Sequence, residues 1–248
     1  MVRRFLKSSA IAGTVFVGLE VAYAILRPSP YQPEFDPSGL FGDTNDPDLR
    51  VAVLGDSSVT APGVADPDEI WIRIICDRLA EDRHVILQSF AVGGSRAGDV
   101  IAGQMEEAIA FQPDLIFVSV GANDAIKGVP RRHFEDNLDH LIGCLAGTGA
   151  VVVQSGVGDL GSIPRLYPPL SRMISRRALG FDESHWKIAQ QHGTAVVHQR
   201  SDDSKPWYND RDLWSADLFH VSAAGHARWA ETIWKTVRPL VPGPNGSD

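Results

Sequence analysis

The feature that most restricts the fold is a regular alternation of short apolar runs with segments of helical periodicity. Between the runs, apolar residues recur every three or four positions. Short apolar strands that alternate with helices are typical of a parallel sheet covered on both faces by helices. We therefore expect an α/β fold, a three-layer α/β/α sandwich with a mostly parallel sheet of about five strands. The predicted strands are residues 50–54, 84–90, 115–120, 150–154 and 194–197.

The segments between the strands predict the helices. The first begins at Asp66 and Pro67, a capping residue followed by a proline suited to a first turn. Cys76 and Cys144 lie on apolar faces of predicted helices, and we expect both to be small core residues. The other predicted helices are residues 99–110, 130–146, 171–179, 183–191 and 222–237.

The composition suits one globular enzyme or ligand-binding domain. Hydrophobic residues make up 44% of the 248 positions, an ordinary share for a domain with a full core. The formal net charge of −8 implies no basic face, so nucleic-acid binding is not expected. Two cysteines cannot build a disulfide scaffold or a four-cysteine zinc site. We expect no metal and no cofactor, and the oligomeric state stays open.

Residues 1–26 differ from the rest of the chain. Three basic residues within the first seven positions precede an apolar run from Ala10 to Leu26, which is interrupted only by Glu20. The run predicts either a signal peptide, with a small-x-small cleavage site at residues 22–24, or an uncleaved membrane anchor. Both interpretations place the following domain in the cell envelope or outside the cell. An amphipathic helix of a cytosolic protein is the alternative.

The other boundaries follow from the proline and glycine content. Residues 27–48 include three prolines within six positions and predict an extended linker. Residues 241–248 predict a flexible tail. The folded domain is therefore expected at residues 49–240.

Residues with useful chemistry follow the predicted strands. Ligands of parallel sheets bind beyond the carboxyl ends of the strands, so residues placed there are expected to meet at one edge of the sheet. Three segments directly follow strands, and a fourth precedes the last helix. They are Gly55-Asp56-Ser57-Ser58, Ala91-Val92-Gly93-Gly94, Gly121-Ala122-Asn123-Asp124 and Asp217-Leu218-Phe219-His220.

These residue types are the ones that acyl transfer requires. A serine hydroxyl is a poor nucleophile until a base such as histidine takes its proton, and a carboxylate orients that base. The oxyanion that forms needs donors from backbone N–H groups and an amide side chain. Each residue type also has a purely structural explanation, such as capping a turn or adopting a positive φ. Asp56 is expected to be a hydrogen-bonding neighbour of the serine rather than a catalytic acid.

In their order and context the four segments resemble the SGNH (GDSL-type) hydrolase family, whose fold is flavodoxin-like. The matching segments span residues 55–226, essentially the whole predicted domain. The resemblance implies a catalytic serine, aspartate and histidine together with an oxyanion hole. The implied catalytic residues are Ser57, Asp217 and His220, and the implied oxyanion donors are the backbone N–H groups of Ser57 and Gly94 and the side chain of Asn123.

Two positions depart from the family pattern. Ser58 stands where an apolar residue commonly follows the nucleophile, and Ser89 stands where the second segment often opens with asparagine. The departures concern the subfamily and the packing of loops rather than the chemistry.

The resemblance implies a serine esterase that cleaves carboxylic esters of lipids or acylated carbohydrates through an acyl-enzyme. An acyltransferase with the same triad is one alternative, and a membrane-tethered binding module that does not use its serine is another. Four aromatic residues precede or adjoin His220, and they are expected either to line an acyl or sugar pocket or to pack a long loop onto the sheet. They are Trp207, Tyr208, Trp214 and Phe219.

Overall fold

The computed structural model describes residues 18, 20–23, 26–200 and 205–241, and its centre is a six-stranded sheet. The strands are β1 (Gly39–Phe41), β2 (Asp48–Gly55), β3 (His84–Ser89), β4 (Leu115–Ser119), β5 (Val151–Gln154) and β6 (Ala195–Val196). They are arranged in the order β1-β3-β2-β4-β5-β6, and all neighbours pair in parallel except β1 and β3. The predicted α/β fold with a mostly parallel sheet is confirmed.

The helices cover both faces of the sheet. They are α1 (Ser57–Thr60), α2 (Trp71–Leu79), α3 (Ala97–Gly103), α4 (Met105–Ala110), α5 (Ala122–Ile126), α6 (Arg131–Ala146), α7 (Leu170–His192), α8 (Pro206–Asn209) and α9 (Ala223–Val237). Val51 and Val53 of β2 pack in one buried cluster with residues of α2 and α9. Ala52 and Leu54 point to the opposite face and pack with residues of α6 and α7. Alternate side chains of β2 therefore pack against helices on opposite faces of the sheet, which gives the three layers of helices, sheet and helices.

The edge strand β1 lies inside the segment predicted as a linker. Leu40 pairs with Ile86 of β3, and the Ser38 hydroxyl accepts a hydrogen bond from the Ser89 N–H at 2.9 Å. A strand of three residues is too short to show a period of two, so the sequence carries no signal for it. Part of residues 27–48 therefore belongs to the sheet and is not a linker.

Several helices differ from their predicted bounds. The predicted helix 99–110 is divided into α3 and α4 at Gln104, while the two helices predicted within residues 171–191 form the single helix α7. Asp66 caps a 3₁₀ turn that precedes α2 rather than the helix itself. Cys76 is buried in α2, as predicted, whereas Cys144 is only half-buried in α6.

Most of the predicted signal peptide or anchor lies outside the described residues, and so does the predicted tail beyond Val241. Gly18, residues 20–23 and Leu26 are described and helical. Within the described ranges, no helix combines the length and the apolar character that a bilayer crossing needs.

Candidate active site

Ser57 begins α1 directly after β2, and the backbone before it is tightly held. Gly55 approaches β4 so closely that a Cβ atom at this position would lie 2.3 Å from the Ser119 carbonyl oxygen. The buried side chain of Gln104 accepts a hydrogen bond from the Gly55 N–H at 2.8 Å and donates one to the Gly55 carbonyl at 2.9 Å. The turn that carries Ser57 is therefore fixed by a neighbouring strand and by a buried amide.

Asp56 links this turn to Asn123. Its Oδ1 accepts a hydrogen bond from the Ser58 N–H, and its Oδ2 accepts one from Asn123 Nδ2, both at 2.9 Å. Burial raises the pKa of Asp56, and these hydrogen bonds together with the nearby His220 offset the rise only in part. Asp56 is the hydrogen-bonding neighbour that the sequence predicted.

The three predicted oxyanion donors differ in their surroundings. Within the described part of the chain, the backbone N–H groups of Ser57 and Gly94 donate no hydrogen bond. Asn123 uses one of its two amide hydrogens on Asp56 and keeps the other. Gly94 has a φ of +77°, and its carbonyl accepts a hydrogen bond from Lys127 Nζ at 2.7 Å. Ser57 and Asn123 line a common cavity, but Gly94 is not among its lining residues.

Asp217 and His220 lie together on the loop before α9. Asp217 Oδ2 is 2.6 Å from His220 Nδ1. The other oxygen, Oδ1, accepts hydrogen bonds from the Ser215 hydroxyl at 2.6 Å, the Phe219 N–H at 2.8 Å and the His220 N–H at 2.9 Å. Burial alone would raise the pKa of Asp217, but these hydrogen bonds outweigh it and hold the pKa well below its usual range. Asp217 is therefore ionised and orients the imidazole.

The turn between Asp217 and His220 has an unusual backbone. Leu218 has a φ of +61°, a conformation that residues with a Cβ rarely adopt and that costs about 1–3 kcal/mol. Arg165 stabilises the turn, since its N–H donates to the Leu218 carbonyl and its Nη1 donates to the Asp217 carbonyl, both at 3.0 Å. The local strain is tolerated because several hydrogen bonds hold the turn from outside.

The segment after the N-terminal apolar run also reaches this loop. Gln32 Nε2 donates a hydrogen bond to the Ser215 hydroxyl oxygen at 3.2 Å, and the Arg27 carbonyl accepts one from the Arg165 guanidinium. Residues 27–32, predicted as an extended linker, are therefore in contact with the side chains that support Asp217.

Two adjoining cavities meet at the turn that carries the serine. The front cleft encloses about 610 Å³, its mouth included, and Ser57, Asn123 and His220 line it. The rear chamber encloses about 800 Å³ by the same measure and is lined mainly by apolar side chains. Residues shared by the two linings are Asp56, Ser58, Ala122, Leu160, Trp214 and Trp229.

Three of the four aromatic residues singled out in the sequence line these cavities. Trp214 borders both, Trp207 borders the rear chamber, and Phe219 borders the front cleft. Tyr208 instead donates a hydrogen bond to Asp159 Oδ2 at 2.6 Å. Three of the four residues therefore line a cavity, whereas the exposed Tyr208 connects α8 to the loop at Asp159.

His226 lies below the front cleft in α9 and is fully buried. Its Nδ1 accepts a hydrogen bond from the Trp71 N–H at 3.4 Å, which leaves the ring proton on Nε2. Burial, reinforced by the nearby His220, lowers the pKa of His226 to about 3. It is a neutral structural histidine.

Sequence reasoning missed the residues that support the site. Gln104 had a signal, because it occupies the buried stripe of α3 and α4 between Val100 and Ala108 at a spacing of four. A polar residue in such a stripe predicts a buried hydrogen bond. Ser215 and Arg165 carry no comparable local pattern.

Comparisons with known proteins agree with one another. The model of the GDSL-like lipase/acylhydrolase family matches residues 53–228. The chain is 26% identical over 198 residues to esterase TesA of Pseudomonas aeruginosa, and the aligned residues cover 76% of this chain and 88% of TesA. It is also 26% identical over 200 residues to a GDSL-like esterase of Mycobacterium tuberculosis, and the aligned residues cover 77% of this chain and 62% of that esterase.

Solved structures show the same fold. The crystal structure of TesA superimposes with a TM-score of 0.65 at 24% identity and covers 78% of this chain and 100% of its own. The acetylxylan esterase Axe2 of Geobacillus stearothermophilus superimposes with a TM-score of 0.58 at 17% identity and covers 77% of this chain and 94% of its own.

Proposed function

Since this chain belongs to the GDSL-like lipase/acylhydrolase family and is a carboxylic ester hydrolase, we propose that it works through an acyl-enzyme on Ser57. One observation carries the proposal. His220 is 2.6 Å from the ionised Asp217 through Nδ1, and the same imidazole lines the front cleft together with Ser57 and Asn123. A hydroxyl, an oriented base and an amide donor thus face one cavity, as ester hydrolysis requires.

The reaction begins with proton transfer from Ser57 to His220. Because Nδ1–H donates to Asp217, the neutral ring keeps its lone pair on Nε2, and this atom takes the proton while Ser57 Oγ attacks the ester carbonyl carbon. The negative oxygen then accepts hydrogen bonds from the Ser57 and Gly94 N–H groups and from the remaining amide hydrogen of Asn123.

The acyl-enzyme then forms and breaks down. The His220 imidazolium gives its proton to the ester oxygen, the bond between this oxygen and the carbonyl carbon breaks, and the alcohol leaves. Water enters, and His220 takes one of its protons while the water oxygen attacks the acyl carbon. The bond between this carbon and Ser57 Oγ then breaks, the His220 imidazolium returns its proton to Ser57 Oγ, and the acid leaves. Asp217 stabilises the imidazolium at both stages. The proposed substrates are esters of lipids or carbohydrates.

The adjacent serines differ in their hydrogen bonding. Ser58 Oγ lies 2.6 Å from Ser119 Oγ and borders both cavities. Ser57 borders only the front cleft, where His220 lies. This arrangement favours Ser57 as the nucleophile and makes Ser58 a matched control.

Labelling with a fluorophosphonate probe tests the assignment. Wild type and Ser58→Ala are expected to be labelled, whereas Ser57→Ala is expected to be unlabelled and to lose ester hydrolysis by about 10⁶-fold in kcat. Labelling or wild-type turnover in Ser57→Ala would overturn the proposal.

We also propose that residues 1–26 direct the domain across a membrane, on the basis of basic residues followed by an apolar run. Intact mass and fractionation of the natively expressed protein test this. A full-length protein in the cytosolic fraction would contradict it.

A further inference from the structure

We infer that the rear chamber binds the acyl group of the ester and that this group is an uncharged aromatic one. The inference rests on the proposed function and narrows its substrate class, because an aromatic acyl group excludes the fatty-acid esters of lipids. Four features of the chamber support it: its position relative to His220, the residue at its entrance, its walls and its charge.

The position of His220 decides which part of the ester enters which cavity. His220 must protonate the leaving alcohol, so the alcohol lies in the front cleft beside the imidazole. The rear chamber is not lined by His220, but it meets the front cleft at Asp56 and Ser58, on either side of Ser57. A substituent on the carbonyl carbon that points away from His220 therefore enters the rear chamber.

Ser58 keeps the entrance to this chamber open. The family commonly has an apolar residue at this position, and a leucine side chain would be larger by two non-hydrogen atoms. Here the short Ser58 side chain hydrogen-bonds to Ser119 at 2.6 Å, and Ser119 accepts a hydrogen bond from Ser155 at 2.9 Å. All three serines line the chamber, which they leave wide next to the nucleophile.

Aromatic rings form another part of the lining. The ring of Trp207 lies 5.6 Å from that of Trp214, edge to face, and 5.7 Å from that of Trp229. The indole N–H of Trp214 donates to the Trp207 carbonyl at 3.1 Å, and that of Trp71 donates to the Ser58 carbonyl at 2.8 Å. With these polar atoms already bonded, the rings offer apolar faces and edges, which a flat aromatic group fits best.

The lining has no free positive charge to bind an anionic acyl group, because the nearby Arg200 pairs with Asp159 at 3.7 Å and donates hydrogen bonds to the Val157 and Gly158 carbonyls. Among the described residues that line it, none is lysine or arginine. Its two carboxylates already have partners, since Asp159 accepts hydrogen bonds from Tyr208 at 2.6 Å and from the Gly161 N–H at 3.0 Å, and Asp56 accepts them from Ser58 and Asn123. A second carboxylate on the acyl group would be buried without a counterion, so the group is uncharged.

The test measures kcat/KM for the 4-nitrophenyl esters of acetate, octanoate and benzoate. Because the three esters share one leaving group, the ratio of kcat/KM for benzoate to kcat/KM for acetate reports on the acyl site. The two esters differ in intrinsic reactivity, but this difference is the same for every variant and cancels when variants are compared with wild type. Ser58→Leu fills the entrance, and Gln199→Phe narrows the body of the chamber at a half-buried residue outside the two core clusters. In both, the benzoate-to-acetate ratio is expected to fall about tenfold or more below that of wild type.

Leu40→Phe is the control, because Leu40 is 68% exposed on the edge strand β1. Its ratio is expected to equal that of wild type. If Ser58→Leu does not fold, as judged by its Tm, Gln199→Phe decides the question.

An unchanged ratio in the chamber variants would overturn the assignment of the chamber to the acyl group. A fall in the octanoate-to-acetate ratio that equals or exceeds the fall for benzoate would overturn the aromatic class. Fluorophosphonate labelling separates these failures from failure of the catalytic proposal. Chamber variants that are still labelled but have unchanged kcat/KM ratios would refute only the assignment of the chamber to the acyl group. Absence of labelling in the wild-type protein would refute the proposal that Ser57 is the nucleophile.

Discussion

The serine and the histidine of the site are held by different kinds of structure. Ser57 follows β2, whose last five residues are buried and whose neighbours β3 and β4 pair with it on both sides. Asp217 and His220 lie outside the sheet on a loop, where Ser215 and Arg165 hold the carboxylate and the turn. The position of Ser57 is thus part of the fold itself, whereas the base depends on a few side chains.

This difference predicts separate consequences for mutation. Changes around the serine turn should lower the free energy of unfolding together with activity, because they break buried backbone hydrogen bonds. Changes around the loop should lower turnover in a protein that remains folded.

Among the variants of residues that support the serine and the base, the largest effect is expected at the loop, for Asp217→Asn. An asparagine amide favours the imidazole tautomer with its proton on Nε2, which cannot act as the base, so kcat should fall by about 10³–10⁴-fold. Initial rates of 4-nitrophenyl ester hydrolysis measure this, and the Tm reports whether the variant is folded. A kcat within tenfold of wild type would remove Asp217 from the mechanism.

The next effect is on stability, at the serine turn. Gln104→Leu leaves the buried N–H of Gly55 without its partner and removes one hydrogen bond to the Gly55 carbonyl, which still accepts one from the Val92 N–H at 3.2 Å, so it should lower the free energy of unfolding by about 2 kcal/mol. Urea denaturation measures the loss. The exposed Gln191→Leu in α7 is the matched control and should change stability by less than about 0.5 kcal/mol. Equal stability of the two variants would show that Gln104 does not hold the turn.

A pH dependence of stability is expected from His226. Burial lowers its pKa to about 3, below the value of about 6.5 in an unfolded chain, so the unfolded state binds the proton first. The contribution of neutral His226 to the free energy of unfolding is complete above about pH 6.5 and is lost as the pH falls toward 3. At pH 5 the loss is about 2 kcal/mol. Asp56, whose pKa is raised, contributes with the opposite sign but equally in wild type and variant.

Urea denaturation of wild type and His226→Gln at pH 7, 6 and 5 isolates this contribution. Between pH 7 and 5, the variant should lose about 2 kcal/mol less than wild type. If the free energies of unfolding of wild type and variant fell equally with pH, His226 would not be buried in its neutral form.

The smallest expected effect compares one hydroxyl from each region. Ser215→Ala removes a 2.6 Å hydrogen bond to Asp217 and should lower kcat about tenfold with KM unchanged, in a protein that stays folded but loses about 1–2 kcal/mol in free energy of unfolding. Ser38→Ala removes the 2.9 Å hydrogen bond to β3 and should lower the free energy of unfolding by about 1 kcal/mol, with kcat unchanged. The reverse pattern would contradict the division between loop and sheet.

Much of the fold was predictable because it is encoded locally. Five of the six strands coincide with apolar runs, and the segments that follow three of them carry Ser57, Gly94 and Asn123. The edge strand β1 escaped prediction because three residues show no period, and α7 was divided because Gly180 interrupts its apolar pattern. The roles of Ser57, Asp217 and His220 stay predictions until the experiments above are done.

What the sequence determined by itself is the order of strands and helices and the residue types at the strand ends, since a hydrophobic period acts over a few residues. Only the tertiary structure decided that Ser58 meets Ser119, 61 positions away, and that Gln32 meets Ser215, 183 positions away. The same holds for the rear chamber, whose walls come from segments scattered along the chain. Such contacts depend on how packed elements bring distant residues together, and no local pattern records that geometry.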